Sequence, residues 1–351
     1  MMAAEKPSQE PPRRVLVIKP SSLGDVVTAL PVLRGLRRTF GDVRISWLLG
    51  KRYVPVLEHD GDLDEIIVFD RKLLGRCWRS RRAAGALLRL IRTLRRGNFD
   101  WVIDLQGLFR SAFFAGATRA AVRAGFADAR EAAEIFYTHR FDVSSPHTVD
   151  RNIELARRLG MDARPQDMTL QVPEAARAFA EEFRRARGLE KHGFIVCVPP
   201  TRWPNKLYPV RRWRQAVEQI STASPVVVLG APGDRQLCAA IADGLGDSVM
   251  NAAGDTGVAE MVAVIADSAG VVCSDSAAKF IAAAVGVDCV VLFGPTRVDL
   301  TGPYLRGRAI VANVPCQGCL RRSCEHVTCM QLIDPGEVAA AAKAMLAAPG
   351  P

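Results

Sequence analysis

A short loop near the amino terminus combines a lysine, two serines and a carboxylate. It runs from Lys19 to Asp25 and reads KPSSLGD. A carboxylate can accept a proton there, and the backbone N–H groups of a tight loop can bind an anionic ligand. The same residues suit a helix start, because Ser22 or Asp25 commonly caps a helix. Spacing alone leaves both interpretations open.

The residues around this loop predict the elements that position it. Residues 14–18 form an apolar run, and apolar residues recur afterwards at helical spacing, at Val26, Leu30, Leu33 and Leu36. This pattern predicts a strand, a loop and then a helix. The loop therefore follows the carboxyl end of a strand, where open α/β sheets bind ligands.

The same alternation of strand and helix continues along the chain. Further strands are predicted at 44–49, 65–69, 101–105, 194–198, 226–229, 270–273 and 289–293, and a helix is predicted over 83–94. Strands separated by helices predict parallel βαβ units with right-handed crossovers. We therefore expect an α/β fold of two Rossmann-like lobes that face each other across a ligand-binding cleft.

The chain has 351 residues, of which 49% are hydrophobic, enough for two domains with full cores. Residues 1–13 are predicted to form a disordered tail, followed by a first domain over 14–165. A Pro-containing and then charged stretch over 166–190 is predicted to link it to a second domain over 191–351. No run is long enough for a transmembrane helix, and the start lacks an apolar signal core. These features predict a cytoplasmic protein.

The net charge is +10, which favours an anionic partner. The segment 71–96 contains no acidic residue but ten basic ones: Arg71, Lys72, Arg76, Arg79, Arg81, Arg82, Arg89, Arg92, Arg95 and Arg96. It is interpreted either as a solvated helix face or as a surface for anionic lipid or a phosphorylated acceptor. Nucleic acid is disfavoured, because only Trp78 interleaves the basic residues.

Several enzyme classes lack their motifs in this sequence. The loop after strand 226–229 does not have the GxGxxG spacing, which disfavours a dinucleotide-dependent oxidoreductase. A GxxxxGK[ST] loop is absent, which excludes P-loop phosphoryl transfer, and no HExxH motif occurs. The sequence Asp62-Leu63-Asp64 could hold a divalent ion, but its position before a strand favours a turn.

Two loops of the second half carry groups suited to phosphate binding. Lys206 lies in the segment 201–209, directly after a strand, and can neutralise a phosphate. Asp275 and Ser276 follow the predicted strand 270–273 and precede a predicted helix at 279–285. The backbone N–H groups at that helix start would favour a diphosphate. An ordinary loop with a capped helix is the alternative for each.

With these motifs in view, the sequence resembles the ADP-heptose:lipopolysaccharide heptosyltransferases of glycosyltransferase family 9. The matching segments lie along nearly the whole chain: KPSSLGD at 19–25 with ALP at 29–31, IDLQGL at 103–108, KLYP at 206–209 with Trp213, SDS at 274–276, IAAA at 281–284, and LFGPT at 292–296 with GPY at 302–304. The resemblance implies the GT-B fold and an inverting glycosyltransferase.

The resemblance also implies roles for the matched positions. Asp25 corresponds to the general base that takes the proton of the acceptor hydroxyl. Lys206 corresponds to the lysine on the donor diphosphate, and the donor-binding set comprises Thr201, Lys206, Asp275, Ser276, Ala277 and Phe280. The acceptor-binding set comprises Lys19, Ser21, Ser22, Gly24 and Gln106. With Lys206 neutralising the leaving group, no catalytic cofactor or metal is expected.

The implied partners are a nucleotide-diphosphate sugar of the ADP-heptose type and an anionic glycolipid acceptor with a lipid A/Kdo-type core. The enzyme is therefore expected to contact the inner face of the inner membrane peripherally and to bind no nucleic acid. The domain over 14–165 would bind the acceptor, and the domain over 191–351 would bind the donor.

The donor loop departs from the family pattern at two positions. Where the family commonly has Gly, and His three residues later, this chain has Ala277 and Phe280. Ala277 adds a Cβ where the backbone should approach phosphate closely, and Phe280 removes a polar contact. The alternative function is therefore a degenerate GT-B protein that binds a nucleotide sugar or anionic glycolipid without turnover.

A cysteine cluster over 316–329 forms a separate feature near the carboxyl terminus. Its members are Cys316, Cys319, Cys324 and Cys329. Their close spacing suggests a structural zinc or iron–sulfur centre, with reduced thiols or a local disulfide as the alternatives.

Overall fold

Two α/β units make up the chain, Met1–Met168 and Thr169–Pro351. The structure is a computed structural model that describes residues 10–347. Residues 1–9 of the predicted tail lie outside the described residues. The division between the units falls inside the range 166–190 that was predicted to be a linker.

The first unit contains six strands and seven α-helices within its described residues. The strands are β1 Arg14–Ile18, β2 Arg44–Gly50, β3 Glu65–Phe69, β4 Trp101–Asp104, β5 Val122–Phe126 and β6 His139–Phe141. The helices are α1 Leu23–Val27, α2 Leu30–Phe40, α3 Val54–Leu57, α4 Arg71–Leu74, α5 Arg81–Arg96, α6 Phe109–Thr118 and α7 Thr148–Arg158.

The second unit repeats this organisation over its described residues. Its strands are β7 Ile195–Val198, β8 Val226–Val228, β9 Val249–Asn251, β10 Gly270–Ser274, β11 Cys289–Phe293 and β12 Arg308–Val311. Its helices are α8 Glu174–Arg185, α9 Val210–Ser221, α10 Arg235–Ala242, α11 Val258–Ala266, α12 Ala278–Ala284, α13 Val298–Thr301, α14 Thr328–Gln331 and α15 Pro335–Leu346.

Each unit is built on one six-stranded parallel sheet. The strand orders are β3-β2-β1-β4-β5-β6 and β12-β11-β10-β7-β8-β9, so both sheets have the same topology. In each, the chain starts at a central strand, builds one half of the sheet and then crosses back to build the other. This is the Rossmann order, and it creates a switch point between β1 and β4 and another between β7 and β10. The predicted pair of Rossmann-like units is confirmed.

The helical pattern after the first loop is interrupted, which the sequence analysis did not predict. The helix α1 ends at Val27 and α2 begins at Leu30, with Pro31 in its first turn. Proline has no N–H to donate to the carbonyl of Val27 and is tolerated mainly in the first turn of a helix. The apolar residues that were predicted to lie on one helix therefore lie on two consecutive helices.

Most of the predicted linker belongs to the second unit. The helix α8 packs against α11, and Arg184 donates to the carboxylate of Asp267 at 2.7 Å. The charged residues of this stretch are thus the outer face of a packed helix.

The Asp62–Asp64 sequence is held by arginines of α2, as expected of a structural turn. Arg34 donates to both carboxylate oxygens of Asp60, at 2.5 and 2.6 Å, and to Asp62 at 2.8 Å. Arg37 donates to Asp64 at 2.7 Å. The pair of Arg34 and Asp60 is buried, with side chains 9% and 1% exposed.

We expect Asp60→Ala to destabilise the protein by about 3 kcal/mol, because the buried Arg34 guanidinium loses both of its hydrogen bonds to the Asp60 carboxylate. Urea unfolding measures this loss. Asp62→Ala is the matched control and should cost about 1 kcal/mol, since Arg34 keeps its two bonds to Asp60. Equal losses in the two variants would contradict this interpretation.

Candidate functional site

The first unit gathers polar residues at its switch point. The loop 19–25 follows β1, and Asp104 ends the neighbouring strand β4, where it pairs in register with Ile18. Gln106 follows two residues later. Because the carboxyl ends of parallel strands meet at one edge, the topology brings the loop and Gln106 together.

Asp25 lies in the first turn of α1 with its two carboxylate oxygens in different situations. Oδ2 accepts hydrogen bonds from the backbone N–H of Ser22 at 2.6 Å and from its hydroxyl at 2.7 Å. Oδ1 receives no hydrogen bond from residues 10–347. Asp25 therefore contributes to the helix cap and still has an oxygen available to accept a proton. The two interpretations of this residue are compatible.

Lys19 is buried beneath this loop. Its Nζ donates to the carbonyl oxygen of Leu105 at 2.5 Å, which ties the ends of β1 and β4 together. Burial lowers the pKa of the Lys19 ammonium, while the nearby charges of Asp25 and Asp104 raise it. Gly24 is also buried, whereas Ser21 and Ser22 are partly exposed.

Asp104 is a buried carboxylate that the sequence analysis did not single out. It accepts from the hydroxyl of Tyr137 at 2.7 Å and from the backbone N–H of Gln106 at 2.9 Å. Burial raises the pKa of Asp104, although these hydrogen bonds favour its ionised form. Its role is to shape the turn at the end of β4. Tyr137 lies 33 residues away along the chain, so no local pattern could have linked the two.

Gln106 has an unsatisfied group beside this turn. Its side-chain Oε1 is buried and accepts no hydrogen bond from the part of the chain that the structure describes. A buried amide oxygen without a partner is costly, so such a group favours a ligand that donates a hydrogen bond. Gln106 is thus well suited to contact a hydroxylated ligand at this edge.

The second unit gathers its polar residues at the equivalent switch point. Lys206 ends a 3-10 helix, Pro204–Lys206, in the segment after β7, and Asp275 directly follows β10. The Nζ of Lys206 donates to the main-chain oxygen of Asp275 at 2.8 Å and to its Oδ2 at 2.9 Å. The two residues that were predicted to bind the donor are therefore in direct contact.

A second lysine completes this group. Lys279 is buried and its Nζ donates to Oδ1 of Asp275. Burial alone would raise the pKa of Asp275, but the charges of Lys279 and Lys206 outweigh it and lower the pKa to about 2. Lys279 was not among the predicted site residues, although its spacing of four residues from Asp275 on a predicted helix was a usable signal.

The remaining donor-loop residues surround this group. The hydroxyl of Thr201 is buried and has no hydrogen-bond partner among residues 10–347. The hydroxyl of Ser276 accepts from the backbone N–H of Ala278 at 3.4 Å, and Ala277 precedes α12. Phe280 is 5% exposed, so its ring is part of the interior.

The predicted metal site is not formed. Between residues 10 and 347, no group of three or more His, Cys, Asp or Glu side chains could hold a metal ion. Cys319 is exposed, whereas Cys329 is buried next to Gly294, and none of the four clustered cysteines forms a disulfide. Of the alternatives, the structure contains the free thiols.

Comparison with known proteins identifies the family. The model for glycosyltransferase family 9 (heptosyltransferase) matches residues 87–329. The chain belongs to this family. It is 27% identical to lipopolysaccharide heptosyltransferase 1 of Pseudomonas aeruginosa, over 96% of this chain and 99% of the relative. This family 9 chain is therefore a glycosyltransferase.

Solved structures agree with the fold of the family 9 chain. A family 9 glycosyl transferase from Veillonella parvula superposes with a TM-score of 0.81 at 21% identity, covering 98% of this chain and 99% of that one. The E. coli heptosyltransferase WaaC with ADP-2-deoxy-2-fluoro heptose gives a TM-score of 0.70 at 22% identity, covering 86% and 94%. The predicted GT-B fold class is confirmed.

The low pKa of Asp275 predicts a pH-dependent contribution to stability. Its folded-state pKa of about 2 lies below the usual 3.8, so the ionised form stabilises the folded state above pH 3.8. This contribution is lost as the pH falls through about 2. We expect the free energy of unfolding of wild type to exceed that of Asp275→Asn near neutral pH, and the difference to shrink towards pH 2.

Urea titrations across this pH range measure the difference. Asp299→Asn, which alters an exposed partner of Arg297, is the control and should show a much weaker pH dependence. A constant difference between wild type and Asp275→Asn at all pH values would contradict the assignment.

Proposed function

We propose that this glycosyltransferase transfers heptose from an ADP-heptose-type donor to an inner-core lipopolysaccharide acceptor with inversion at the anomeric carbon. The assignment of the base rests on one observation. Oδ1 of Asp25, at the carboxyl edge of the first sheet, accepts no hydrogen bond from residues 10–347. The relatives named lipopolysaccharide heptosyltransferase support the reaction class. The heptose nucleotide bound to WaaC supports the donor.

In the proposed reaction, the acceptor hydroxyl loses its proton to Oδ1 of Asp25 as its oxygen attacks the anomeric carbon. The bond from that carbon to the diphosphate oxygen breaks, and the nucleoside diphosphate leaves with the electron pair. Lys206 balances the charge that develops on the leaving oxygen. Hydrogen bonds from Ser22 to Oδ2 hold the carboxylate in place while Oδ1 accepts the proton.

The acceptor is proposed to be bound by the first unit. Gln106 offers a buried oxygen that accepts no hydrogen bond from the described residues, which suits a sugar hydroxyl. Ser21 and Ser22 are partly exposed beside Asp25 and provide further polar contacts. On the donor side, the buried hydroxyl of Thr201 also has no hydrogen-bond partner among the described residues. Thr201 lies five residues before Lys206.

We expect Asp25→Asn to lower kcat by about 100- to 10,000-fold with little change in KM, because the variant keeps the side-chain shape but removes the base. A mass-detected assay of heptose transfer to a Kdo-containing lipid A acceptor measures this. Asp162→Asn removes an exposed carboxylate paired with Arg164 and should leave kcat unchanged. Full turnover by Asp25→Asn would rule out this base.

The alternative of binding without turnover rests on Ala277 and the interior position of Phe280. The same assay separates the two functions. Multiple turnovers per enzyme molecule exclude the alternative, whereas calorimetric binding of ADP-heptose without transfer to any acceptor would replace the main proposal.

We also propose that the protein works at the cytoplasmic face of the inner membrane through the basic surface formed by residues 71–96. All ten basic side chains of this segment are exposed, and none forms an ion pair with residues 10–347. By contrast, exposed arginines elsewhere, such as Arg177 and Arg185, are paired with glutamates. Each unpaired cation near an anionic membrane surface contributes about 1 kcal/mol to the free energy of membrane binding.

An aromatic residue and an apolar cavity belong to the same surface. Trp78 is 95% exposed in the turn between α4 and α5. Beside it, a cavity of about 480 Å³ is lined by Phe69, Leu74, Leu87 and Phe113, with Arg71 and Arg110 also on its wall. Tryptophan favours the membrane–water interface, so these features support peripheral contact. None of the helices between residues 10 and 347 has the length and apolar character needed to cross a membrane.

We expect the triple variant Arg79→Gln, Arg81→Gln, Arg82→Gln to bind vesicles containing phosphatidylglycerol at least about tenfold more weakly, because three lipid-facing charges are lost. Vesicle sedimentation at low and high salt measures this. A control triple variant of Arg158, Arg177 and Arg185 removes the same charge from glutamate-paired arginines and should retain binding. Equal weakening in both would show that net charge, rather than this surface, attracts the protein.

A further inference from the structure

The carboxylate of Asp275 accepts hydrogen bonds from two ammonium groups. Lys206 donates to Oδ2 at 2.9 Å and to the main-chain oxygen of the same residue. Lys279 donates to Oδ1 and to the carbonyl oxygen of Ser276 at 3.2 Å. Lys206, Lys279 and Asp275 together carry two positive charges and one negative charge. One ammonium group is sufficient to neutralise the carboxylate, so the three residues have a net positive charge.

The two lysines differ in their access to a ligand. The side chain of Lys206 is 12% exposed, whereas that of Lys279 is 2% exposed. The rings of Phe280 and Phe293 have their centroids 4.5 and 5.5 Å from Nζ of Lys279. Lys279 is thus enclosed and stays with Asp275, while Lys206 reaches the surface of the unit.

We propose that Lys279 is a positioning residue that allows Lys206 to move from Asp275 to a diphosphate. The proposal rests on the proposed function, in which the second unit binds a nucleotide-diphosphate sugar. When Lys206 turns towards phosphate oxygens, Asp275 would be left as an unpaired buried carboxylate, which is strongly unfavourable. Lys279 prevents this, because it continues to neutralise Oδ1.

Phe280, which differs from the family pattern, contacts Lys279. The chain lacks the histidine that the resemblance led us to expect there, and Phe280 packs beside the ammonium of Lys279 instead. A ring face attracts a cation and excludes water from it. Phe280 therefore helps to hold Lys279 in place, and the polar function of the donor loop rests on the lysine that precedes it.

Binding of inorganic pyrophosphate to the full chain tests the proposal without any sugar or acceptor. Lys279→Met should weaken binding about 10- to 100-fold, because Lys206 is then the sole cation on Asp275 and stays there. The variant should still fold, since Asp275 keeps one partner. Lys279→Arg retains the cation and should restore most of the affinity. Lys343→Met removes a partly exposed lysine of the same unit that is bonded to Thr222 and should bind like wild type.

A second substitution separates positioning from a merely structural role. Adding Asp275→Asn to Lys279→Met removes the charge that retains Lys206, so pyrophosphate affinity should recover. A structural role predicts a lower melting temperature and no recovery. If the double variant melts below the assay temperature, Asp275→Asn alone should bind pyrophosphate at least as tightly as wild type.

Failure of this inference is distinguishable from failure of the proposed function. Unchanged pyrophosphate binding in Lys279→Met, no recovery on neutralising Asp275, or no binding by wild type would overturn the inference. Absence of heptose transfer by wild type, with the expected pattern of pyrophosphate binding, would overturn the proposed function and leave the role of Lys279 intact.

Discussion

The reversal of strand order in each parallel sheet is the constraint on which both candidate sites depend. Between β1 and β4, and between β7 and β10, the chain departs in opposite directions from neighbouring strands. The loops that follow these strands cannot cover the gap between them, so side chains at the strand ends remain accessible to a ligand. Asp25 and Gln106 lie at the first gap, and Lys206 and Asp275 lie at the second.

Each unit buries a carboxylate at its switch point, but the two are stabilised differently. Asp104 is bound by neutral donors, the Tyr137 hydroxyl and backbone N–H groups, and burial raises its pKa. Asp275 is bound by two ammonium groups, and its pKa is about 2. Neutral donors suit a carboxylate that fixes a turn. A surplus of cations suits a site that receives an anion, because the incoming charge completes the neutralisation.

Asp25 has a structural contact that is compatible with the base role proposed for it. Oδ2 accepts hydrogen bonds from Ser22, whereas Oδ1 accepts none from residues 10–347. The cap bonds orient the carboxylate. A capping residue is therefore a suitable position for a base, rather than an argument against one.

Local sequence pattern was sufficient for the central strands and for the loop that carries Asp25. β1, β3 and β11 have the predicted bounds. The continuous apolar runs of β1 and β11 are characteristic of strands buried on both faces, whereas β3 lies at the edge of its sheet. The strands β5, β6, β9 and β12 were not predicted, since they are short or carry polar residues near the sheet edges. Only the tertiary structure paired Tyr137 with Asp104 and enclosed Lys279 beside Asp275. Periodicity reports which face of an element is buried, whereas contacts between distant residues depend on strand order and register, which no local window contains.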